Sequence, residues 1–475
     1  MFEFALIIGA PLLFIVWLAV LAKWRVGLTG LLVFMPFAGV FILLSNHNPL
    51  LVLAKDILWV VPLYLSLFVF HGQQLRSMRV SGLLLGALGF FSAIVLLQML
   101  NPQLSSISVG AIGAKVWLFY IPLLFVAGAA VASAEDLIRL NRLMLAVAVV
   151  PCAVGILQWI GSLAIGYQAT FTILYGAKAG ADATQDFSSF QYGGTMFRIP
   201  STFSFSTQYF GFVLAMLVPC YVAMNADPTP RWRRFGKLML YFVTVAAFLS
   251  GSRAAFVFVP MLLAAIYLVD GKLTGMMAGV VIVPILLYFS LDVVGLNPLK
   301  VLTQTQNLAG AYGAEYASSP FKALAQFPLG TGTGMSTSAA RYGGTDSASF
   351  LTKLTYSVES YYTKAIIETG AFGVVALLAV FGAMIAETLR ARAVVRNPAL
   401  KSAASAYAAF IIVIVINCAK GWIIDVDPVN VYFWLFAGFG IKAAYLDRAP
   451  ARQPARRRAA TGYPMARPPL AQRPR

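Results

Sequence analysis

Three ionisable side chains have the type and setting for chemistry on a phosphate-bearing molecule. They are Arg198 in Phe197-Arg-Ile-Pro-Ser-Thr-Phe203, Arg253 in Leu249-Ser-Gly-Ser-Arg-Ala-Ala-Phe256, and Glu359 in Ser357-Val-Glu-Ser-Tyr-Tyr362. A guanidinium presents a planar pair of N–H donors that grips a phosphate through two parallel hydrogen bonds. Arg253 sits on a tight turn between two apolar runs, and charge so close to hydrocarbon is costly and seldom idle. Ser250 and Ser252 flank it and offer hydroxyl donors to the same anion. Arg198 reads equally as an interfacial arginine snorkelling from a helix end. Glu359 falls two residues after Ser357, a candidate helix cap, where a carboxylate is stabilised by the helix dipole. Beside Ser360, Tyr361 and Tyr362, the same carboxylate at a membrane surface has the alternative role of general base on a hydroxyl.

Other constellations point elsewhere. Gly330, Gly332 and Gly334 follow Pro328, but no strand precedes them and no Walker lysine follows, which argues against a nucleotide cradle. Their expected use is close backbone packing against a helix or a lipid-linked substrate, with Gly332 and Gly334 nearest the substrate. Asp425 and Asp427 have Asp-x-Asp spacing suited to a divalent cation, but Lys420 and Pro428 beside them favour a solvated loop. The only two histidines, His47 and His71, lie in short early connections, and the three cysteines (Cys152, Cys220, Cys418) lie in or at the ends of apolar runs. A histidine zinc site, a Ser-His triad and a disulfide framework are all disfavoured. No metal and no cofactor is expected.

The elements that must hold these residues are hydrocarbon-seeking helices. Of 475 residues, 60% are hydrophobic and 11% charged, with mean hydropathy +0.80. Soluble domains carry about 25% charged residues. The expected fold is an all-α polytopic membrane protein with about 13 transmembrane helices, given roughly 20 residues per span. Cations recur in every second connection, at Lys23/Arg25, Arg76/Arg79, Arg139/Arg142, Arg231 to Lys237, Lys272 and Arg390 to Arg396. This positive-inside alternation predicts a periplasmic N-terminus, a transmembrane domain over 1–447 and two larger periplasmic loops at 166–207 and 293–358. It places Arg198, Arg253 and Glu359 on one non-cytoplasmic side. The stretch 448–475, with Arg456-Arg-Arg458, reads as a disordered basic cytoplasmic tail. The net charge of +18 therefore implies anionic lipid at the tail as a partner, and no nucleic acid. Few charged groups are expected inside spans.

Four segments, in order, resemble the bacterial O-antigen ligase and polysaccharide polymerase superfamily. Arg198-Ile-Pro-Ser-Thr-Phe203 is similar to that family's arginine before a mid-chain span, and Ser252-Arg253-Ala254 to its Ser-Arg-Gly/Ala signature. Pro328-Leu-Gly-Thr-Gly332-Thr-Gly334 is similar to its periplasmic Pro-Leu-x-Gly-x-Gly element, and Ser360-Tyr-Tyr362 with Glu368-Thr-Gly370 to the close of that loop. The resemblance covers about Met196 to Phe381 in detail. Ligases of the group usually place a His-Asn pair where this chain has Glu359-Ser360, so the polymerase branch is the nearer one.

The resemblance implies a membrane-embedded glycosyltransferase in the bacterial inner membrane that needs neither metal nor nucleotide. Its donor would be an undecaprenyl-pyrophosphate-linked glycan and its acceptor a second glycan, giving exopolysaccharide, capsule or O-antigen. Arg198 and Arg253 would hold the pyrophosphate, and Glu359 would receive or orient the acceptor proton. A chain-length regulator or flippase of the same pathway would be the natural protein partner. The alternatives are ligase-like transfer of a lipid-linked glycan to lipid or protein and, in another class, a lipid-linked glycan transporter or flippase.

Overall fold

The computed structural model describes residues 2–45, 48–77, 79–186, 190–191, 195–272, 285, 288, 298–337, 350–351 and 353–448. The expected basic tail beyond Arg448 and the apolar run near 274–292 lie almost wholly outside them.

In hydrocarbon each backbone N–H and C=O must be satisfied within its own segment, so apolar runs become helices. In chain order these are α1 (Phe2–Ala22), α2 (Trp24–Leu44), α3 (Asp56–Phe70), α4 (Gly82–Met99), α5 (Ile107–Ala130) and α6 (Ala134–Ala164). Then come α7 (Tyr167–Tyr175), α8 (Ala177–Asp186), α9 (Ser206–Ala226), α10 (Pro230–Leu249) and α11 (Ala255–Asp270). The series ends with α12 (Pro298–Gln326), α13 (Tyr361–Val394), α14 (Pro398–Asn417) and α15 (Val429–Arg448). Among the described residues, 8 helices are long and apolar enough to cross a membrane: α2, α4, α5, α6, α9, α13, α14 and α15. The chain is thus an all-helical polytopic membrane protein. Helices α3 and α11 are apolar but shorter, and α10 opens with Arg231, Arg233 and Arg234 before its apolar half.

Burial ranks the helices from centre to rim. The spans of α15 and α9 are 94% and 89% buried inside the protein, whereas that of α4 is only 28% buried. Bulky side chains such as Leu83, Leu97, Phe372 and Val375 stay exposed on the outer faces, as expected of a surface that meets lipid.

Contacts sort the helix ends into two sets. At one end Arg142 on α6 grips Asp227 after α9 through Nε and Nη2, at 2.6 and 2.7 Å. Lys272 after α11 reaches Asp270 at 2.8 Å and Ser402 on α14 at 3.2 Å. Asp447 accepts the N–H groups of Arg396 and Asn397 at 2.8 and 3.0 Å, and Tyr445 donates to the Arg79 carbonyl at 2.8 Å. The basic connections therefore share one end of the bundle.

The two expected loops are more ordered than their polarity implied. Within 166–207 lie α7, α8 and a short antiparallel pairing of Phe190–Gln191 with Thr195–Met196. Most of 293–326 is the 29-residue helix α12, because Leu, Ala, Lys and Gln favour helix even where too few apolar residues gather to span a membrane. Ser201 and Thr202, both buried, donate to the carbonyls of Pro151 and Pro36 at 2.5 Å each. They anchor the segment after Arg198 between the kinked turns of α6 and α2.

Candidate functional site

The end opposite the basic connections gathers charges from separate loops. The Ile199 N–H donates to the Ser250 carbonyl at 3.0 Å, so the Arg198 segment lies along the turn that carries Arg253. Gly251 permits the contact: it has φ +71°, and a Cβ there would collide with the Phe197 carbonyl oxygen. Tyr167 on α7 fixes the strand from the other side, its hydroxyl donating to the Arg198 carbonyl at 2.7 Å and its ring stacked on Phe197 at 4.9 Å.

Arg198 is half-buried, and loss of hydration holds its guanidinium below the usual arginine range. The like charge of Arg253 acts in the same direction, opposed by Glu359. Lys420, in the connection between α14 and α15, reports the same neighbours. Desolvation pushes its ammonium below the usual lysine range although the side chain still reaches solvent, with Arg253 and Arg198 adding to the effect and Glu359 opposing it. Three cations and one carboxylate, drawn from four connections, thus lie within each other's fields. Such a cluster concentrates an anion.

Glu359 does not lie in a first helical turn. Helix α13 starts at Tyr361 with Ser360 as its cap (φ −68°, ψ 132°), so the helix dipole does not stabilise Glu359 as expected, and the carboxylate is exposed ahead of the helix. It accepts a hydrogen bond from the Tyr316 hydroxyl on α12. Neighbouring Glu315 accepts the Ser357 N–H at 3.1 Å, which sets α12 beside this charge cluster.

Most of the hydroxyls expected to bind substrate are used internally. Ser250 is fully buried and donates to the Ala247 carbonyl at 2.6 Å. Ser360 donates to the Cys418 carbonyl at 3.5 Å and Tyr362 to the Val415 carbonyl at 2.7 Å. The Tyr361 ring is buried 5.0 Å from the Trp117 ring. Among the expected hydroxyls only Ser252, half-buried next to Arg253, keeps a position beside the cations.

The glycine series is a packing device. Gly330, Gly332 and Gly334 have φ of +80°, +102° and +95°, and Gly370 interrupts α13 at φ +70°, ψ −167°. The carbonyls near that break are taken by the loop: Thr331 N–H donates to Ile367 at 2.8 Å and Gly332 N–H to Glu368 at 3.1 Å. With that N–H engaged, and Gly334 pressed on Gly113 of α5, neither Gly332 nor Gly334 forms a phosphate cradle. The fully buried Glu368 carboxylate completes the latch. It accepts from Trp117 Nε1 at 2.7 Å, from Ser336 N–H and Oγ at 3.0 and 2.8 Å, and from Thr337 Oγ1 at 3.0 Å.

Close to the cluster lies an ionic network that sequence reasoning missed. Asp425 and Asp427 form neither a solvated turn nor a metal pair. Asp425 pairs with Lys364 of α13, whose ammonium also lies 4.9 Å from the Trp117 ring and 5.3 Å from the Trp422 ring. Asp427 pairs with Lys55 at 3.2 Å. Lys55 continues to Asp56 at 2.9 Å, and Asp56 to Lys115 at 2.5 Å and to the Tyr120 hydroxyl at 2.6 Å. Charges inside the bundle are therefore more numerous than the apolar runs implied, because Lys364, Lys115 and Asp427 meet their partners only through the fold. The network also grips both ends of the Asp425-Val-Asp427 turn, and Trp422 Nε1 donates to the Val358 carbonyl at 2.7 Å. The connection that carries Lys420 is thereby tied to the one that carries Glu359.

Among the described residues, no three His, Cys, Asp or Glu side chains gather as metal ligands would. The chain matches no protein-family model and no curated protein.

Proposed function

We propose that the chain is a membrane-embedded glycosyltransferase that polymerises undecaprenyl-pyrophosphate-linked repeat units at the periplasmic face of the bacterial inner membrane. The observation that carries this reading is the convergence of Arg198, Arg253 and Lys420 with Glu359 at the end of the bundle away from the basic connections. In this reading about 13 spans, with the N-terminus periplasmic, set the charge cluster at the outer leaflet. The acceptor hydroxyl oxygen attacks the anomeric carbon as the carbon–oxygen bond to pyrophosphate breaks, and the bonding pair leaves on the phosphate oxygen. The cations stabilise that charge as it develops, and fixed charges aimed at a developing anion usually supply more of an enzyme's rate than any other single effect. Glu359 takes the hydroxyl proton, and Tyr316 orients its carboxylate. The activation resides in the pyrophosphate bond.

The test is purified protein supplied with lipid-linked repeat unit alone. A ladder of longer lipid-linked products is expected, and Arg253→Ala should abolish it. Transfer only to a separate lipid or protein acceptor would assign the ligase alternative instead.

One observation favours a second reading, a lipid-linked glycan transporter. The buried Lys55–Asp56–Lys115 chain is the type of intramembrane charge that marks translocation paths. Movement of labelled lipid-linked oligosaccharide between leaflets, without lengthening, would select it.

A further inference from the structure

At the basic end of the bundle, across the apolar helices from the Arg198–Arg253–Lys420 cluster, the α1–α2 turn opens a cavity of about 490 Å³. Lys23, Arg25, His71 and Gln74 line it, together with Trp24 and small residues such as Ala132. The polar groups are held in place. Arg25 lies 5.5 Å from the Trp24 ring, the Trp24 indole N–H donates to Gln74 Oε1 at 3.0 Å, and His71 Nδ1 is 2.8 Å from the Ser66 carbonyl. That last contact takes the Nδ1 proton, so Nε2 is a donor to a ligand only in the protonated ring. No carboxylate is among the described residues that line the space. Asp136, near it through Ala132, is engaged with the Ala132 and Ser133 N–H groups at 3.1 Å each. Exposed apolar side chains adjoin the cavity on α1 and α2, Leu18 at 47% and Val26 at 42% exposure.

We infer that this cavity binds a phosphate group, and that its source is the head group of an anionic phospholipid whose acyl chains lie along α1 and α2. A guanidinium and an ammonium around one space, with no carboxylate among the described residues that line it, match a phosphate diester. The adjoining hydrocarbon-compatible faces match its tails. Nothing here depends on the glycosyl-transfer reading, since site and chemistry lie at the other end of the molecule.

The experiment uses the full chain purified in detergent and native mass spectrometry to count retained phosphatidylglycerol and phosphatidylcholine, with inorganic phosphate added in a separate arm. Two variants are compared with the parent: K23Q/R25Q, which removes the charge, and Ala132→Trp, which fills the space at an exposed wall and keeps every charge. Both should lower phosphatidylglycerol retention about tenfold or more, with phosphatidylcholine unchanged, because each cation at a membrane surface contributes about a factor of five. If millimolar inorganic phosphate displaces the lipid from the parent, the site holds phosphate but takes it as the free anion, which overturns the lipid assignment. Undiminished retention in both variants overturns the site. Loss in K23Q/R25Q with parent-like retention in Ala132→Trp also overturns it, because the effect then belongs to diffuse surface charge.

Discussion

Arg253 and Arg198 stand out in the sequence because the alternation of cationic connections leaves them on turns where arginine is not expected, a signal that needs no neighbours to be seen. Lys420 carries the same signal. It is masked because Asp425 and Asp427 stand close in sequence and give it apparent partners, whereas in the fold those carboxylates belong to Lys364 and Lys55. Two expectations follow at this scale. Arg253→Lys keeps the charge but loses the planar fork, and polymerisation should fall about a hundredfold, measured as initial rate of ladder formation; a parent-like rate would remove the bidentate role. Lys420 titrates below the ordinary lysine range, through desolvation first and then the two arginines. The sign is that of a cation whose charged form is disfavoured by folding: between its folded and unfolded pKa values stability rises with pH, while affinity for an anion is present below the folded value and lost above it. Donor affinity should therefore decline on the alkaline side at a lower pH than a free lysine would dictate. Lys420→Arg should move that decline upward, as read in binding isotherms across pH.

Helix existence and type follow from the apolar runs, since hydrocarbon leaves the backbone no other solution. What hydropathy cannot show is where a helix is interrupted to receive another segment. The Glu368-Thr-Gly370 stretch sits inside one uniform apolar pattern, yet Gly370 leaves helical geometry so that the Gly330 loop can dock, and Glu368 becomes the acceptor for Trp117, Ser336 and Thr337. Here the conformational demand on glycine is explicit. A Cβ on Gly370 would lie 2.5 Å from the Leu329 carbonyl carbon, at a φ of +70°. Gly370→Ala is expected to cost about 1–3 kcal/mol from backbone strain alone, seen as a lower melting temperature in detergent and earlier proteolysis near Pro328. Glu368→Gln tests the latch separately. It retains an acceptor for Ser336 but turns an amide N–H₂ toward the Trp117 indole N–H, leaving a buried donor unpaired at about 1–3 kcal/mol. Unchanged melting in both variants would mean the loop is held by other contacts.

At the scale of the molecule, the two ends of the bundle hold different sets of charged side chains. One end holds the Arg142–Asp227 and Lys272–Asp270 pairs, the Asp447 cap on the Arg396 and Asn397 N–H groups, and the cations Lys23 and Arg25. The other collects Arg198, Arg253 and Lys420, three cations sharing Glu359. That grouping is a property of the fold, because the four residues come from connections spread over more than two hundred positions of the chain. If the first end is cytoplasmic, as positive-inside bias requires, then the second faces the compartment where polyprenyl-linked sugars are assembled into polymer. Orientation is testable without activity. All three native cysteines are buried, so a membrane-impermeant maleimide should ignore the parent chain. Ala419→Cys, exposed beside Lys420, should be labelled in intact spheroplasts, and Pro228→Cys, exposed beside Asp227, only after permeabilisation. The opposite pattern would turn the cationic cluster toward the cytoplasm, where a pyrophosphate-binding cluster would meet nucleotide sugars and no periplasmic polymerisation could be assigned to it.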